Sequence, residues 1–475
     1  MKKIAVVALI TLYATVVTQA QEYEFKGGYP TPETIQKAYD DSDLARAIQV
    51  YKFFYPTVSF EGTWRGNLKE GAVVNSVFPL LEGSPNHLVF TSNSDTPYAG
   101  LLLDLSMGPM VIEIPPGPIM GAANDLNQRW VSDLGLPGPD AGKGGRHLLV
   151  GPEYKGKIPD GYYAARATTN RVLVLIRSIP PAGDNEKANA LIQTVKVFPL
   201  KRPPNWKTPA WRKLPKGDFT PLRWETNLQY WHVLKEIIDL EPAYEAYRSY
   251  YGELAGLGIV KGQPFAPDDR MKGILEKAAK MANSQMRVQS FADRRPDRVA
   301  WPDRKWEWAT LRPENGTFDT PTYKDLDARE KWFYQAQVES PAMFRRSAGA
   351  GSLYWLGTRD KGGAYLDGAK SYKLTVPQPV PAKLFWSVTV YDAETRSEIA
   401  TDQGHAALRS LFELKDVKGL TAELYFGPTP PAGNEKQWIK TTPGKGWFTY
   451  FRIYEPEKAA FDRSWKPGDF EEVKR

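Results

Sequence analysis

The sequence contains no cysteine. That excludes a disulfide-stapled scaffold, a thiolate nucleophile and every cysteine-ligated zinc or iron–sulfur site. A chain of 475 residues has the length to stabilise itself with an ordinary hydrophobic core instead. Histidine is almost as scarce. His87, His147, His232 and His405 are the only four, and no two have the spacing of a zincin helix or a paired-histidine strand, so no metal site is predicted. Nucleotide signatures are missing as well. No G-x-G-x-x-G follows a strand-like run, and the loop 138–144 is one residue short of a phosphate-binding loop, with Gly144 where a magnesium-binding hydroxyl belongs. The small-residue run 347–352 contains no G-x-S-x-G elbow and reads as a loop. No cofactor is indicated.

Concentrated positive charge is also lacking. The formal net charge is +7, from 62 basic and 55 acidic residues, and Lys2 and Lys3 contribute to it. The densest basic spot, Arg294-Arg295-Pro296-Asp297-Arg298, is interrupted. Nucleic-acid binding requires a stripe or patch, so nucleic acid is not an expected partner and the charge reads as a solvated surface.

Long apolar runs are confined to the start. Lys2 and Lys3 precede an apolar stretch over residues 4–17, and Thr18-Gln19-Ala20 places small side chains where a signal peptidase reads. Residues 1–20 are therefore expected to be a signal peptide, and the protein periplasmic or secreted. A retained anchor is the competing reading, but the run falls short of the roughly 20 apolar residues a spanning helix needs. No cysteine follows, which excludes a lipoprotein anchor. No later segment suggests a membrane span, so a soluble mature chain is expected.

Aromatic residues are plentiful, with 15 tryptophans, 24 tyrosines and 20 phenylalanines. They serve either as stacking platforms for sugars and flat ligands or as fillers of large β-rich cores; their strand-like placement favours the core.

Along the chain, Thr31 and Pro32 read as the cap and first residue of a helix over 31–55, with Ile35, Ala38, Ala45 and Ile48 at helical spacing. The polar run 40–43 is a candidate break, and Pro56 is expected to end the helix. Strands are expected from about 57 to 180, including 98–105, 110–114, 147–150 and 171–176, in a sandwich or barrel. A short helix is expected at 185–198. The middle, about 224–345, reads as helical, most clearly from Asp268 to Phe291. Strands return at 372–376, 384–391, 422–426 and 447–454, implying a second all-β domain.

Candidate chemistry centres on Thr91-Ser92-Asn93-Ser94-Asp95-Thr96-Pro97-Tyr98. In one reading these side chains face a cavity, with Asn93 and Thr96 binding substrate and Asp95 or Tyr98 exchanging protons. In the other they hydrogen-bond their own backbone in a turn. Arg129 and Arg146 are candidates to clamp an anion, or equally members of structural ion pairs.

These residues resemble a known bacterial pair, the domains of unknown function DUF1254 and DUF1214. The first resemblance runs through Asn93, Asp95, Thr96 and Tyr98, then Leu103-Asp104-Leu105-Ser106, Gly108-Pro109 and Gly151-Pro152. The second lies in Phe385-Trp386-Ser387-Val388-Thr389-Val390-Tyr391-Asp392, Arg452-Ile453-Tyr454-Glu455-Pro456 and Trp465. The segment 400–405 departs from the expected asparagine-containing pattern. The resemblance implies two β-sandwich, jelly-roll-like domains, often exported and homo-oligomeric, with no established activity. The expected organisation is a mainly β chain with a helical middle: residues 21–200, a helical segment 201–350, and a second β-sandwich over 351–475. Two functional readings follow: a periplasmic hydrolase or lyase acting on a small-molecule or envelope-derived substrate, or a non-catalytic binding or assembly protein of the envelope. Fold alone does not decide between them.

Overall fold

The computed structural model describes residues 23–473, apart from 82, 215–216, 219–223, 315 and 350. The expected signal peptide lies outside the described residues. Helix α1 (Pro32–Lys69) begins as anticipated, the Thr31 hydroxyl accepting from the Thr34 amide at 3.3 Å. It does not break at 40–43. Asp40 and Asp43 instead receive Arg270 at 2.6 and 2.8 Å, which docks a later helix against this one.

Nor does Pro56 end it, and the strands expected from 57 begin only at Val77. A proline inside a helix removes one backbone donor and costs about 3 kcal/mol. Here three side chains donate to carbonyls around it: Tyr230 to Tyr51 (2.8 Å), Arg329 to Phe53 (2.7 Å) and Gln128 to Pro56 (2.7 Å). Residues Tyr51 to Phe60 are buried on nearly every side, and a helix buried all round carries no one-sided apolar stripe for a sequence pattern to reveal.

Six strands form the first large sheet: β1 (Val77–Leu81), β2 (Tyr98–Asp104), β3 (Ile119–Asp125), β4 (Trp130–Gly135), β5 (Arg171–Ser178) and β6 (Ala210–Lys213). Their order is β6-β1-β2-β5-β3-β4. Side chains alternate between faces along each strand. Val172, Val174 and Ile176 of β5 join Leu101 and Leu103 on one face. They pack on Ile112, Leu149 and Val197 of a four-stranded sheet, closing the first sandwich. The residues expected to be helical to 198 form α2 (Asn185–Ile192), then the strand Lys196–Pro199 of that second sheet.

The helical middle comprises α3 (Gln229–Leu240), α4 (Arg248–Gly256), α5 (Asp269–Phe291) and α6 (Leu326–Gln335). Asp268 caps α5, its carboxylate accepting from the Met271 amide at 2.8 Å, and Leu275, Ala278, Ala279, Ala282 and Met286 are buried as the pattern predicts. These helices share one core with α1. The second sandwich has a five-stranded sheet of β7 (Glu307–Trp308), β8 (Ser352–Gly357), β9 (Ala382–Asp392), β10 (Ala407–Arg409) and β11 (Trp447–Pro456), ordered β7-β8-β11-β9-β10. Trp355, Val388 and Phe451 pack from it onto Leu374, Leu424 and Phe426 of another four-stranded sheet. Most tryptophans are core or half-buried, and Trp130 alone is exposed. Among the described residues no helix is long and apolar enough to cross a membrane.

Helices and second sandwich meet at a buried ion pair. Arg396 donates to Glu225 at 2.9 Å, Tyr55 donates to the other Glu225 oxygen at 2.5 Å, and the guanidinium lies over the Phe90 and Tyr334 rings. Breaking a buried pair strands one charge, at a cost of about 3–5 kcal/mol. Glu225→Ala is therefore expected to lower unfolding free energy by about that amount, measured by urea denaturation. The double replacement Glu225→Leu with Arg396→Met should recover most of the loss. Wild-type stability in Glu225→Ala would contradict the assignment.

Candidate functional site

The alternation that gives the first sandwich its core leaves the opposite face of the same sheet to build something else. Arg177 of β5 pairs with Tyr98 and Met120, Leu175 pairs with Gly100 and Ala122, and Ala122 pairs with Asp133. All of these side chains project away from the core. They floor a cavity of about 210 Å³. Its opposite wall comes from the second sandwich, where Ser352 and Tyr354 of β8 and Arg452 of β11 face it. Asn67 of α1 and the segment after α6 complete the lining.

The polar loop before β2 is clasped by the second sandwich. Asp95 is fully buried, and its Oδ2 accepts from the Ser387 hydroxyl at 2.6 Å and the Tyr454 hydroxyl at 2.8 Å. The Asp95 amide donates to Asn93 Oδ1 at 2.7 Å, and the Asn93 side-chain amide donates to Tyr454 Oη. Loop carbonyls are held from the same side: Arg452 donates to Thr91 (3.1 Å), Tyr391 to Ser92 (2.7 Å) and Arg409 to Ser94 (2.6 Å). Thr91 sits at φ 41°, a left-handed conformation strained for a β-branched residue. A Cβ on Gly83 would stand 2.3 Å from Ser94 Cα, so glycine is what lets the neighbouring segment lie against this loop.

Of the residues singled out from sequence, Asn93 and Tyr98 line the cavity, and Asp95 lies directly behind them with no exposure to it. Thr96 is buried and outside the lining, its hydroxyl without a hydrogen-bond partner. Arg129 and Arg146 are not brought to the cavity. Arg129 lies over the Tyr244 ring at 5.1 Å, and Arg146 pairs with Glu113 at 2.9 Å on the surface. Two other arginines occupy the place a clamp would need. Arg177 is half-buried and donates to Tyr98 Oη and Ser352 Oγ, both at 3.1 Å, with the Tyr454 ring 4.9 Å away. Arg452 donates to Thr389 Oγ1 at 2.9 Å and its Nε has no partner. Neither guanidinium forms an ion pair among the described residues. The available signal for Arg177 was its register: it follows Leu173 and Leu175 on the non-core face of β5.

Burial raises the Tyr98 phenol, with Arg177 opposing. It pushes Asp133, which lines the cavity, up to about 7 against the hydrogen bond from Ser340. Glu398 lies behind Arg452. Burial pushes it up to about 7 as well, opposed by the Arg452 charge and reinforced by Asp95. Among the described residues no cluster of three or more histidines and carboxylates has the geometry to hold a metal ion.

Residues 75–199 match the model of the family described as protein of unknown function DUF1254, and residues 351–458 match that of DUF1214. The chain is similar to the crystal structure of a Vibrio parahaemolyticus protein, at 16 % identity and a TM-score of 0.57, covering 91 % of this chain and 100 % of that one. That likeness is one of fold. A second structure, from Burkholderia cenocepacia, aligns at 13 % identity and a TM-score of 0.38, over 94 % of this chain and 90 % of the other. No curated protein matches.

The raised carboxyl of Glu398 links this junction to pH. The folded chain holds that proton more tightly than the unfolded chain, whose value is near 4.5. The associated stability is complete below about 4.5 and lost as pH rises through about 7, on the order of 3 kcal/mol. Glu398→Gln should therefore gain stability relative to wild type between pH 5 and pH 8, measured by urea denaturation at both. Parallel profiles would show that Glu398 does not titrate there.

Proposed function

This chain belongs to the two-domain family that joins a DUF1254 segment to a DUF1214 segment, and from that premise we propose that it binds a small anionic molecule with an apolar body in the cavity between the two. The observation that carries the reading is the pair Arg177 and Arg452, one half-buried and one buried cation that line one cavity and make no salt bridge among the described residues. Taking an unpaired charge out of water costs several kcal/mol. A carboxylate or similar anion bound between them supplies the missing partner, in a planar, bidentate geometry that suits guanidinium. Leu173, Leu175, Met120 and Trp332 offer the ligand's body an apolar surface.

The hydrolase or lyase reading has separate support. Asp133, a carboxyl titrating near neutrality, and Tyr98, hydrogen-bonded to Arg177, both line the cavity, and groups so placed are suited to proton transfer. Asp95, sealed behind the wall, acts in this reading as a positioning residue for Tyr454 and Asn93. The basic start, apolar run and Thr18-Gln19-Ala20 of the leader support action in the periplasm or outside the cell, on small or envelope-derived molecules.

Two measurements test these proposals. Calorimetric titration with hexanoate should show binding to the wild-type protein and at least a tenfold weakening in Arg177→Met. Thermal stability of the same variant is read alongside, because the replacement also removes the hydrogen bonds to Tyr98 and Ser352. Loss of stability with unchanged hexanoate affinity would make Arg177 structural and overturn the reading. Fractionation of cells expressing the full chain should place a product beginning at Gln21 in the periplasm or medium. Uncleaved chain working in the cytosol would remove the proposed location.

A further inference from the structure

The arginines stand at one end of the cavity floor, and a different group stands across the sheet from them. Arg177 on β5 is in register with Met120 on β3, while Asp133 on β4 is in register with Ala122, two residues along the same face. Two strand spacings and two residue rises separate the Cα atoms of Arg177 and Asp133 by about 12 Å. Among the described residues, Asp133 is the one carboxylic acid that lines the cavity. Its residue is 6 % exposed, and its carboxyl faces the Ser340 hydroxyl and Ala342 amide, while Oδ1 has no hydrogen-bond partner. Between the two ends the floor is Ala122 and Leu175, with Gly100 and Leu173 beside them, and offers a ligand no polar side chain.

A carboxyl at a cavity wall gains from a further donor that reaches it. Resting on the anion reading above, we infer that the ligand is bifunctional: an anionic group held by Arg177 and Arg452, an apolar middle over Ala122 and Leu175, and a hydrogen-bond donor, hydroxyl or ammonium, received by the Asp133 carboxyl.

The cavity's donor selectivity is read by calorimetric titration of the purified protein with hexanoate, 6-hydroxyhexanoate and 6-aminohexanoate, which share body and acid and differ only at the far end. Either substituted acid, or both, is expected to bind about tenfold more tightly than hexanoate, the size of effect a well-formed hydrogen bond to a charged group gives. The hydroxyl compound alone gaining identifies a neutral donor, and the amino compound alone a cationic end. In Asp133→Val the advantage of the substituted acids over hexanoate should vanish. Should that variant fail to fold, the wild-type ranking of the three acids decides by itself. Equal affinity for all three overturns the bifunctional ligand and leaves the anion reading standing. Absence of binding by all three overturns both.

Discussion

One buried carboxylate ties the two sandwiches into a single site. Asp95 projects from the loop before β2 into the sheet of the other sandwich, where Ser387 and Tyr454 both donate to its Oδ2. A polar group in a low-dielectric interior must keep such donors, so the loop has no freedom to withdraw. Its carbonyls are held in turn by Arg452, Tyr391 and Arg409. This clasp fixes Asn93 and Tyr98 at the cavity wall, and it accounts for a β-branched Thr91 being retained in a left-handed backbone conformation. The cavity is thus the space left when two sheets, each with its core on the far side, are joined by a short polar loop.

Buried arginines separate structure from function in this protein. Arg396 is surrounded by what a buried cation needs: the Glu225 carboxylate, the Tyr55 hydroxyl and two aromatic faces. Arg452 is buried and Arg177 half-buried, their hydrogen bonds go to carbonyl or hydroxyl oxygens, and both face the same cavity. The contrast between one guanidinium in a salt bridge and two without one localises the site more sharply than cavity shape does. The lone carboxyl of Asp133 at the other end of the floor gives that site a direction.

Much of this architecture was legible in advance because its signals are local. The strands at 110–114, 147–150, 171–176, 372–376 and 447–454 announce themselves by β-branched and aromatic runs between glycines and prolines, and α5 by its cap and apolar face. The prolonged helix α1 was not legible past Pro56. Its later turns are enclosed on all sides, and the donors that make the proline tolerable, Gln128, Tyr230 and Arg329, come from distant parts of the chain. For the same reason 196–198 read as helix, although the pairing of Lys196–Pro199 with Met110–Glu113 makes it a strand. In the site, the motif holding Asn93, Asp95 and Tyr98 stood out as polar residues between apolar strands. Arg129 and Arg146 stood out too, since nothing in a linear sequence distinguishes an arginine facing a cavity from one on the surface.

By itself the sequence determined the absence of thiol chemistry, the two strand-rich segments with helices between them, and the polar element at 91–98 between apolar strands, because composition, period and capping are properties of neighbouring residues. Only the tertiary structure decided that Asp95 is a clasp, that Arg177 and Arg452 converge from different sandwiches, and that Asp133 looks back at them across the floor. Those facts depend on strand register and on which face of each sheet is turned toward the core, and both are set by pairings between residues far apart in the chain.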